Sequence, residues 1–425
     1  MANDSRFAAD FGPFDGRVWL NAAHQGPLPR VALGALEQAA TMKRSPQLIT
    51  DRDFLDVPRR LREALGELLS VPPREVVVGN SASYGLQLLV GGLDWRDGDE
   101  VLVVVNDFPA NITPWLALSE RAGVRVRVLE PQGPMVTGEE VARVASSRTR
   151  LLCTSWVNSF TGHLLDVGAV GAVCRERGIV FVLNATQGLG AMPLQPASLP
   201  VDALTSSGFK WLCGPYGTGF AWIRSTLLAR LRPVQSYWLT LPDDGEVDEA
   251  LGEPFRARAP LGHRNLDVFG TASFLNLLPW TAAVEYLQGI GVDVIRAYND
   301  RLVQRLLERL DVEDIRILSP TAPGARSAIA VFTHRDQDRN PKIHAALTAA
   351  GIDTALRNGR VRVSAHLYNS EDEIDRLADI VTSVAAEPTA RPRHSRVVRP
   401  SSWTVQAGLW ATSQGWPSGS TKTPE

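Results

Sequence analysis

Lys210 is the residue whose type and surroundings most clearly indicate chemistry in this chain. It lies in the segment Thr205-Ser-Ser-Gly-Phe-Lys-Trp-Leu-Cys213, between two apolar runs, and is one of only four lysines, against forty arginines. A packed domain rarely places an unpaired ammonium in such a position. A buried amine can lose its proton and act as a nucleophile that forms a Schiff base with a carbonyl. The segment alone leaves a second reading open, in which Lys210 is an exposed turn residue.

The segments that precede Lys210 predict strands that end in polar side chains. Ile179–Ala185 is a β-branched and aromatic run followed by Thr186 and Gln187, as at the carboxyl end of a buried parallel strand. Val76–Gly79 predicts another strand, which leads through Asn80-Ser-Ala-Ser-Tyr-Gly85 into a helix. Small and hydroxyl residues at a helix N-terminus can bind a phosphate through backbone N–H groups. Each motif is weak alone, but their order along the chain is specific.

Strands and helices alternate up to about residue 265, which predicts an α/β fold with a largely parallel sheet covered on both faces. The predicted strands are Val101–Val105, Val124–Leu129, Arg150–Val157, Ile179–Ala185, Ala203–Ser206 and Gly219–Ile223. From about residue 273 long helical stretches take over, followed by short strands and a closing helix. We therefore predict an N-terminal arm (1–20), a large domain (21–265), a small C-terminal domain (266–385) and an irregular tail (386–425).

The composition agrees with a large soluble enzyme. The chain has 425 residues and a net charge of −2, so nothing favours nucleic acid or an anionic membrane as a partner. The first residues lack a basic-then-apolar signal pattern, and no apolar run is long enough to span a bilayer. Cys153, Cys174 and Cys213 are too scattered for disulfides or a zinc cluster. We expect a cytoplasmic, metal-free protein.

In these motifs and their order, the sequence resembles the fold-type I pyridoxal-phosphate enzymes of the class V aminotransferase family. That family includes cysteine desulfurases, kynureninases and isopenicillin N epimerases, and the resemblance covers roughly residues 16–385. Further matching segments are Leu20–Pro27, Asp107–Asn111 with Pro114-Trp115, Val157–Gly162, Gly270–Ser273, and Val361–Ser364 with Tyr368-Asn369. The resemblance implies a mostly parallel seven-stranded sheet in the large domain, a smaller α+β domain, pyridoxal 5'-phosphate as cofactor, and a homodimer with its sites at the interface.

The same resemblance implies roles for individual residues. Lys210 would form the Schiff base with the cofactor and then transfer the proton at the substrate Cα. The residues expected around the cofactor are Ser81, Ala82, Ser83 and Ser207 at its phosphate, Thr271 reaching the phosphate from the second subunit, Phe108 over the ring, Asn158 and Gln187 near the phenolic oxygen, and Asn184 at the pyridine nitrogen. The residues expected to bind substrate are Arg362, which would clamp the α-carboxylate, Asn158, and as further candidates Arg357, His24 and Tyr84.

One departure from the family pattern concerns sulfur chemistry. Cysteine desulfurases need a cysteine on a loop shortly before the carboxylate-binding arginine, and the segment Leu356–Arg362 has none. Phe209 also replaces the histidine that desulfurases carry before their lysine. These differences argue against persulfide-forming desulfurase chemistry.

A second departure is Asn184, which stands where the family has an aspartate facing the pyridine nitrogen. A carboxylate keeps that nitrogen protonated by its opposite charge, whereas an amide can only donate or accept a hydrogen bond. The cofactor should then be a weaker electron sink, which counts against efficient transamination and less against loss of a leaving group from Cβ. The sequence leaves open whether Asn184 tunes the reaction or cripples it.

These observations favour a pyridoxal-phosphate-dependent lyase that cleaves the C–S bond of an S-substituted cysteine by β-elimination. The bias toward arginine, alanine, glycine, valine and leucine is typical of a high-GC actinobacterial source, where enzymes similar to these tailor secondary metabolites, including cysteine conjugates in lincosamide antibiotic biosynthesis. The alternatives are an aminotransferase or an epimerase of the same family, and a catalytically degenerate homologue that only binds cofactor or a partner.

Overall fold

The computed structural model describes residues 7–232, 266–270 and 273–387. The described residues up to Ala386 belong to one compact unit. The predicted tail 386–425 lies outside the described residues apart from its first two positions, and so does Thr271.

A seven-stranded sheet forms the centre of the fold. Its strands are β2 (Val76–Gly79), β3 (Glu100–Val104), β4 (Arg125–Leu129), β5 (Thr149–Ser155), β6 (Val180–Asn184), β7 (Ala203–Ser207) and β8 (Gly219–Ile223). Their order is β2-β8-β7-β6-β5-β3-β4, and only β8 runs antiparallel to its neighbours. The structure thus confirms the predicted mostly parallel seven-stranded sheet.

Helices cover both faces of this sheet, because its strands are apolar on both sides. In β2, Val76 and Val78 join one buried cluster and Val77 joins the other. The helices are α1 (Arg30–Arg44), α2 (Asp53–Leu69), α3 (Ala82–Gly92), α4 (Thr113–Ala122), α5 (Gly138–Val144), α6 (Val167–Glu176) and α7 (Ser225–Leu228). Such two-sided burial is the usual environment of parallel strands.

A second, four-stranded sheet lies in the C-terminal part, together with four more helices. Its strands are β9 (Ile315–Ile317), β10 (Ala330–His334), β12 (Ala355–Arg357) and β13 (Arg360–Val363), in the order β12-β13-β10-β9. The helices are α8 (Phe274–Ile290), α9 (Val292–Arg309), α10 (Asn340–Ala349) and α11 (Glu371–Ala385). Because β13 is an inner strand of this sheet, Arg362 is not the edge residue that a Val-Arg-Val-Ser segment usually supplies.

The N-terminal segment packs on the C-terminal part. β1 (Val18–Trp19) pairs in parallel with β11 (Ile352–Asp353), and Asn21 forms a further bridge with Ser364. The segment that follows β1 is thereby held beside the end of β13. This pairing places His24 near Arg362.

No helix in the described ranges is long and apolar enough to cross a membrane. The division into an arm, a large domain and a small domain at residues 20, 265 and 385 stays a prediction.

Candidate active site

Lys210 lies three residues after the carboxyl end of β7, where the parallel strands β3, β5 and β6 also end. Its side chain is only 9% exposed. The loop after β1 lies against it, since the Gly26 N–H donates to the Phe209 carbonyl at 2.9 Å. A Cβ at Gly26 would overlap the Lys210 carbonyl, so glycine is required for this close approach. The structure therefore places Lys210 in the interior rather than on an exposed turn.

The environment of Lys210 favours the neutral amine. Burial, followed by the positive charges of Arg362 and Arg357, lowers the pKa of Lys210 to about 8. No carboxylate of the described residues contributes to this shift. The Lys210 Nζ lies 5.2 Å from the centre of the Phe108 ring, which brings together the two residues expected to hold and cover the cofactor ring. A neutral buried amine beside an apolar ring is the form that attacks an aldehyde.

The predicted phosphate site lies at the N-terminus of α3. Ser81 is the N-cap and accepts a hydrogen bond from the Tyr84 N–H, and the Ala82 N–H donates to the Ser207 Oγ at 3.4 Å. Gly219 of β8 lies against the Ser81 backbone, where a Cβ would not fit. The structure thus brings Ser81, Ala82, Ser83 and Ser207 together at a helix N-terminus that can bind an anion.

The side chain of Gln187 is fixed as a donor. The indole N–H of Trp211 donates to its Oε1 at 2.9 Å, and its Nε2 donates to the Ala23 carbonyl at 3.1 Å. One Nε2 proton remains for the phenolic oxygen of a cofactor. The Asn158 Oδ1 accepts from the N–H groups of Phe160 and Thr161, which leaves the Asn158 amide nitrogen as a donor as well.

Asn184 ends β6 and is buried. Its Nδ2 donates to the Asn111 Oδ1 at 2.7 Å, and its Oδ1 accepts from the Thr186 N–H at 3.1 Å. Thr186 in turn accepts from the Ser207 N–H. The amide predicted to face the pyridine nitrogen is therefore tied to the strand end that also positions the phosphate site.

Arg362 is a buried cation without a carboxylate among the groups that set its pKa. One terminal nitrogen donates to the Ser159 carbonyl at 2.9 Å, and its buried Nε has no hydrogen-bond partner within the described part of the chain. Burial and the charge of Arg357 lower the pKa of Arg362 to about 10, so it is still protonated at neutral pH. A charged guanidinium with an unsatisfied N–H is suited to a substrate carboxylate.

Three cationic side chains lie close enough to His24 to affect its pKa. Partial burial, then the charges of Arg357, Arg362 and Lys210, lower the pKa of His24, so its imidazole is neutral at pH 7. Arg357 itself is exposed on β12. The concentration of positive charge favours an anionic ligand such as an amino-acid carboxylate or a phosphate.

Two contacts of Tyr84 are with residues outside this charge cluster. Its hydroxyl donates to the Leu266 carbonyl, and its ring packs on Gly79. Its role in substrate binding stays a prediction, as does that of Thr271, which lies outside the described residues.

Sequence reasoning did not assign a role to Asn111, Ser155 or Trp211, although all three contribute to the site. Asn111 lies in a segment that matches the family pattern, and Ser155 lies near the end of a predicted strand. Their positions could therefore have indicated a place in the site. Trp211 follows Lys210, but no sequence pattern predicts the hydrogen bond of its indole N–H, because its partner Gln187 is distant in sequence.

All three cysteines of the chain are buried and free. Burial raises the pKa of the thiols of Cys174 and Cys213 to about 12, and that of Cys153 still further. Thiolates are the reactive form, so none of these side chains is suited to accept sulfur from a substrate.

The residues present fit pyridoxal 5'-phosphate. Lys210 supplies a buried amine whose pKa is lowered to about 8, the N-terminus of α3 supplies N–H groups for a phosphate, and Gln187 supplies a fixed donor. The unpartnered Nε of Arg362 supplies the contact that an amino-acid substrate would need.

Comparison with known sequences agrees with this fit. The model of the family described as aminotransferase class-V matches residues 44–377. The chain is 28% identical over 382 residues to the isopenicillin N epimerase of Amycolatopsis lactamdurans, covering 86% of this chain and 94% of that protein. It is also 28% identical over 391 residues to a probable cysteine desulfurase of Streptomyces coelicolor, covering 85% and 90% respectively.

Solved structures show the same fold. A mutant of the enzyme C-DES with glycine covalently linked to its PLP cofactor has a TM-score of 0.79 at 23% identity, with 89% of this chain and 98% of that chain covered. The complex of the cystine C-S lyase C-DES with cysteine persulfide has a TM-score of 0.77 at 24% identity, with 87% and 98% covered. The predicted fold type is thereby confirmed, and the match to the aminotransferase class-V model confirms the predicted cofactor.

Proposed function

Because this chain belongs to the class V aminotransferase family, we propose that it uses its pyridoxal 5'-phosphate, held by Lys210, to eliminate a sulfur substituent from Cβ of an S-substituted L-cysteine. The observation that supports an amino-acid substrate most directly is the buried Arg362, whose Nε has no partner among the described residues and whose charge acts on the buried amine of Lys210.

The bound cofactor would supply an electron sink for a carbanion at Cα. Each other task falls to the chain's own residues. Arg362 binds the substrate carboxylate, and Phe108 and the N-terminus of α3 hold the cofactor in place. Lys210, once released, removes the proton from Cα at a position fixed by the end of β7. Its pKa near 8 is suited to a general base at neutral pH.

The balance of the reaction follows from these roles. Lys210 takes the Cα proton, the Cβ–S bond breaks, and the thiolate leaves with the bonding electron pair and is protonated to a thiol. Addition of one water to the three-carbon remainder gives pyruvate and ammonium. No external oxidant or reductant is needed.

Two features favour elimination over the other reactions of the family. Asn184 offers an amide rather than a carboxylate, so charge at Cα is stabilised less, and a departing thiolate removes that charge. The three buried cysteines lack a reactive thiolate, which argues against transfer of sulfur to the protein.

Epimerisation is the second candidate, because the isopenicillin N epimerase relative resembles this chain over most of both lengths. Inversion at Cα needs a proton donor on the face opposite Lys210. His24, which is close enough to Lys210 for the lysine charge to lower its pKa, is the residue we would test for that role. Transamination is a third outcome that the same experiment separates.

The deciding experiment is product analysis with S-substituted cysteines and unsubstituted amino acids, with and without a keto acid. Elimination releases thiol, pyruvate and ammonium without a keto acid. Epimerisation exchanges only the Cα hydrogen in deuterated water, and transamination consumes the keto acid. Absence of all three, together with a borohydride-reduced cofactor adduct on Lys210, would identify a degenerate binding protein.

We also propose a cytoplasmic homodimer. The three free, buried cysteines agree with a reducing compartment.

A further inference from the structure

Four buried side chains connect a carboxylate to Asn184. Ser155 donates from its Oγ to the Asp107 Oδ1 at 2.6 Å, Asn111 donates from its Nδ2 to the Ser155 Oγ at 2.9 Å, and Asn184 donates from its Nδ2 to the Asn111 Oδ1 at 2.7 Å. Each of the four is at most 6% exposed. Ser155 and Asn184 are paired residues on the neighbouring strands β5 and β6, so the sheet itself holds the chain of bonds together.

The carboxylate at one end sets the direction of every bond. An ionised aspartate can only accept, and Asp107 already accepts from the N–H groups of Phe108 and Ser155 and from the Thr154 hydroxyl. The Ser155 proton is therefore directed to Asp107, which leaves the Ser155 Oγ as the acceptor for Asn111. The Asn111 amide nitrogen then faces Ser155, and its oxygen must face Asn184.

An independent contact fixes the Asn184 side-chain amide in the same orientation. The Thr186 backbone N–H, which can only donate, lies 3.1 Å from the Asn184 Oδ1. Both ends of the side-chain amide are thus assigned by a neighbour that cannot exchange donor for acceptor. The Asn184 Nδ2 keeps one proton for which the described part of the chain records no acceptor.

We infer that this network fixes Asn184 as a hydrogen-bond donor to the pyridine nitrogen of the bound cofactor, so that this nitrogen stays unprotonated. Asp107, Ser155 and Asn111 are then positioning residues for Asn184. The inference rests on the proposed function in requiring that the cofactor is bound through Lys210 with its pyridine nitrogen at the predicted position beside Asn184, and it does not depend on which reaction follows.

The opposite orientation of the Asn184 amide would break hydrogen bonds at both ends of this network. A protonated pyridine nitrogen needs an acceptor, so Asn184 would have to turn its oxygen away from Thr186 and bring its NH2 against the Thr186 N–H. Asn111 would have to turn as well, and its oxygen would then compete with Asp107 for the Ser155 proton. Buried donors and acceptors left without partners are strongly disfavoured.

The test is the ¹⁵N resonance of the pyridine nitrogen in protein loaded with ¹⁵N-labelled pyridoxal 5'-phosphate, without substrate. Unprotonated and protonated nitrogens resonate far apart, and loss of packing alone does not convert one into the other. We expect the wild-type protein to give the unprotonated resonance and Asn184→Asp to give the protonated one. Ser155→Ala should shift the resonance part of the way, since Asp107 then no longer sets the direction of the Asn111 amide and only the Thr186 N–H still orients Asn184.

Thr154→Val is the matched control, because it removes a hydroxyl donor from the same Asp107 without touching the path to Asn184. Its resonance should equal that of the wild type. A protonated nitrogen in the wild type, an unshifted resonance in Ser155→Ala, or equal shifts in Ser155→Ala and Thr154→Val would each overturn the inference. If borohydride reduction fails to fix the cofactor on Lys210, the proposed function itself fails; a Lys210 adduct with a protonated ring overturns this inference alone.

Discussion

At the scale of the residue, Lys210 is shaped by burial and by two cations. Its pKa is lowered from 10.5 to about 8 by burial and by Arg362 and Arg357. Only the neutral amine attacks an aldehyde, so the rate at which apoprotein takes up pyridoxal 5'-phosphate should rise with pH and level off above about pH 8. Stopped-flow absorbance at a series of pH values measures this rate.

Arg357→Ala is the control for the electrostatic part of this shift. It removes one repelling charge, so the pH at which the rate levels off should move upward. A rate that keeps rising toward the ordinary lysine pKa of 10.5 in the wild-type protein would contradict the structure.

Arg362 is expected to act on substrate rather than cofactor. Charged hydrogen bonds contribute about 1.5–3 kcal/mol each, so Arg362→Ala should raise KM by roughly tenfold or more. The visible spectrum of the bound cofactor should not change. Arg357 has the same charge but is exposed, so Arg357→Ala should raise KM less than Arg362→Ala does. A larger effect of Arg357→Ala would instead assign binding of the substrate carboxylate to Arg357.

The Asn184→Asp variant distinguishes an asparagine that adapts the cofactor to elimination from one that impairs catalysis. A carboxylate would stabilise protonation of the pyridine nitrogen and strengthen the electron sink. If Asn184 is tuned for elimination, the variant should gain transamination as a side reaction, measured as the ratio of keto-acid-dependent products to pyruvate. Faster native turnover with an unaltered product ratio would instead show that the asparagine is a lesion.

At the scale of the element, the loop after β1 positions Lys210 through a single glycine. Gly26→Ala would push a Cβ into the Lys210 carbonyl, which should cost about 1–3 kcal/mol of folding stability and reduce cofactor loading. Thermal melting and the bound-cofactor absorbance measure both effects.

Gly34→Ala is the matched control for this substitution. Gly34 lies within α1 with open space where its Cβ would be. That variant should be neutral or slightly more stable, since alanine favours a helix interior. Equal loss of cofactor in both variants would show that the loop does not position Lys210.

The long elements of the fold could be predicted because their patterns are strong. Ile179–Ala185 was predicted as a strand and β6 spans Val180–Asn184; its β-branched and aromatic run is bounded by polar residues. Helix α1 gave no such signal, since its only fully buried residues are Ala32 and Ala39. The strands β9, β11 and β12 have two or three residues each, too few for a periodic pattern.

The residues of the candidate site that stand in recognisable motifs could be predicted from the sequence. Those that reach the site through contacts between distant segments could not. Lys210, Arg362 and Phe108 stand in segments that indicate their roles, and the structure brings them together. The path from Asp107 through Ser155 and Asn111 depends on strand pairing across the sheet, which no local pattern reports.

At the scale of the whole molecule, large apolar side chains beside the site are left exposed. Phe108 is 38% exposed and Tyr216 is 74% exposed. The Tyr216 ring lies 4.8 Å from that of Phe209, the residue before Lys210. Clustered exposed aromatic residues are a common sign of an interface.

We therefore expect the cofactor-loaded protein to sediment as a homodimer in analytical ultracentrifugation. Tyr216→Asp should shift the equilibrium toward monomer and weaken cofactor retention, because the interface and the site would share this face. Val128→Asp is the control: Val128 is 52% exposed, but it lies on β4 at the far edge of the central sheet and should leave the dimer intact. A loaded wild-type monomer, or equal dissociation by both variants, would contradict a dimer built on this face.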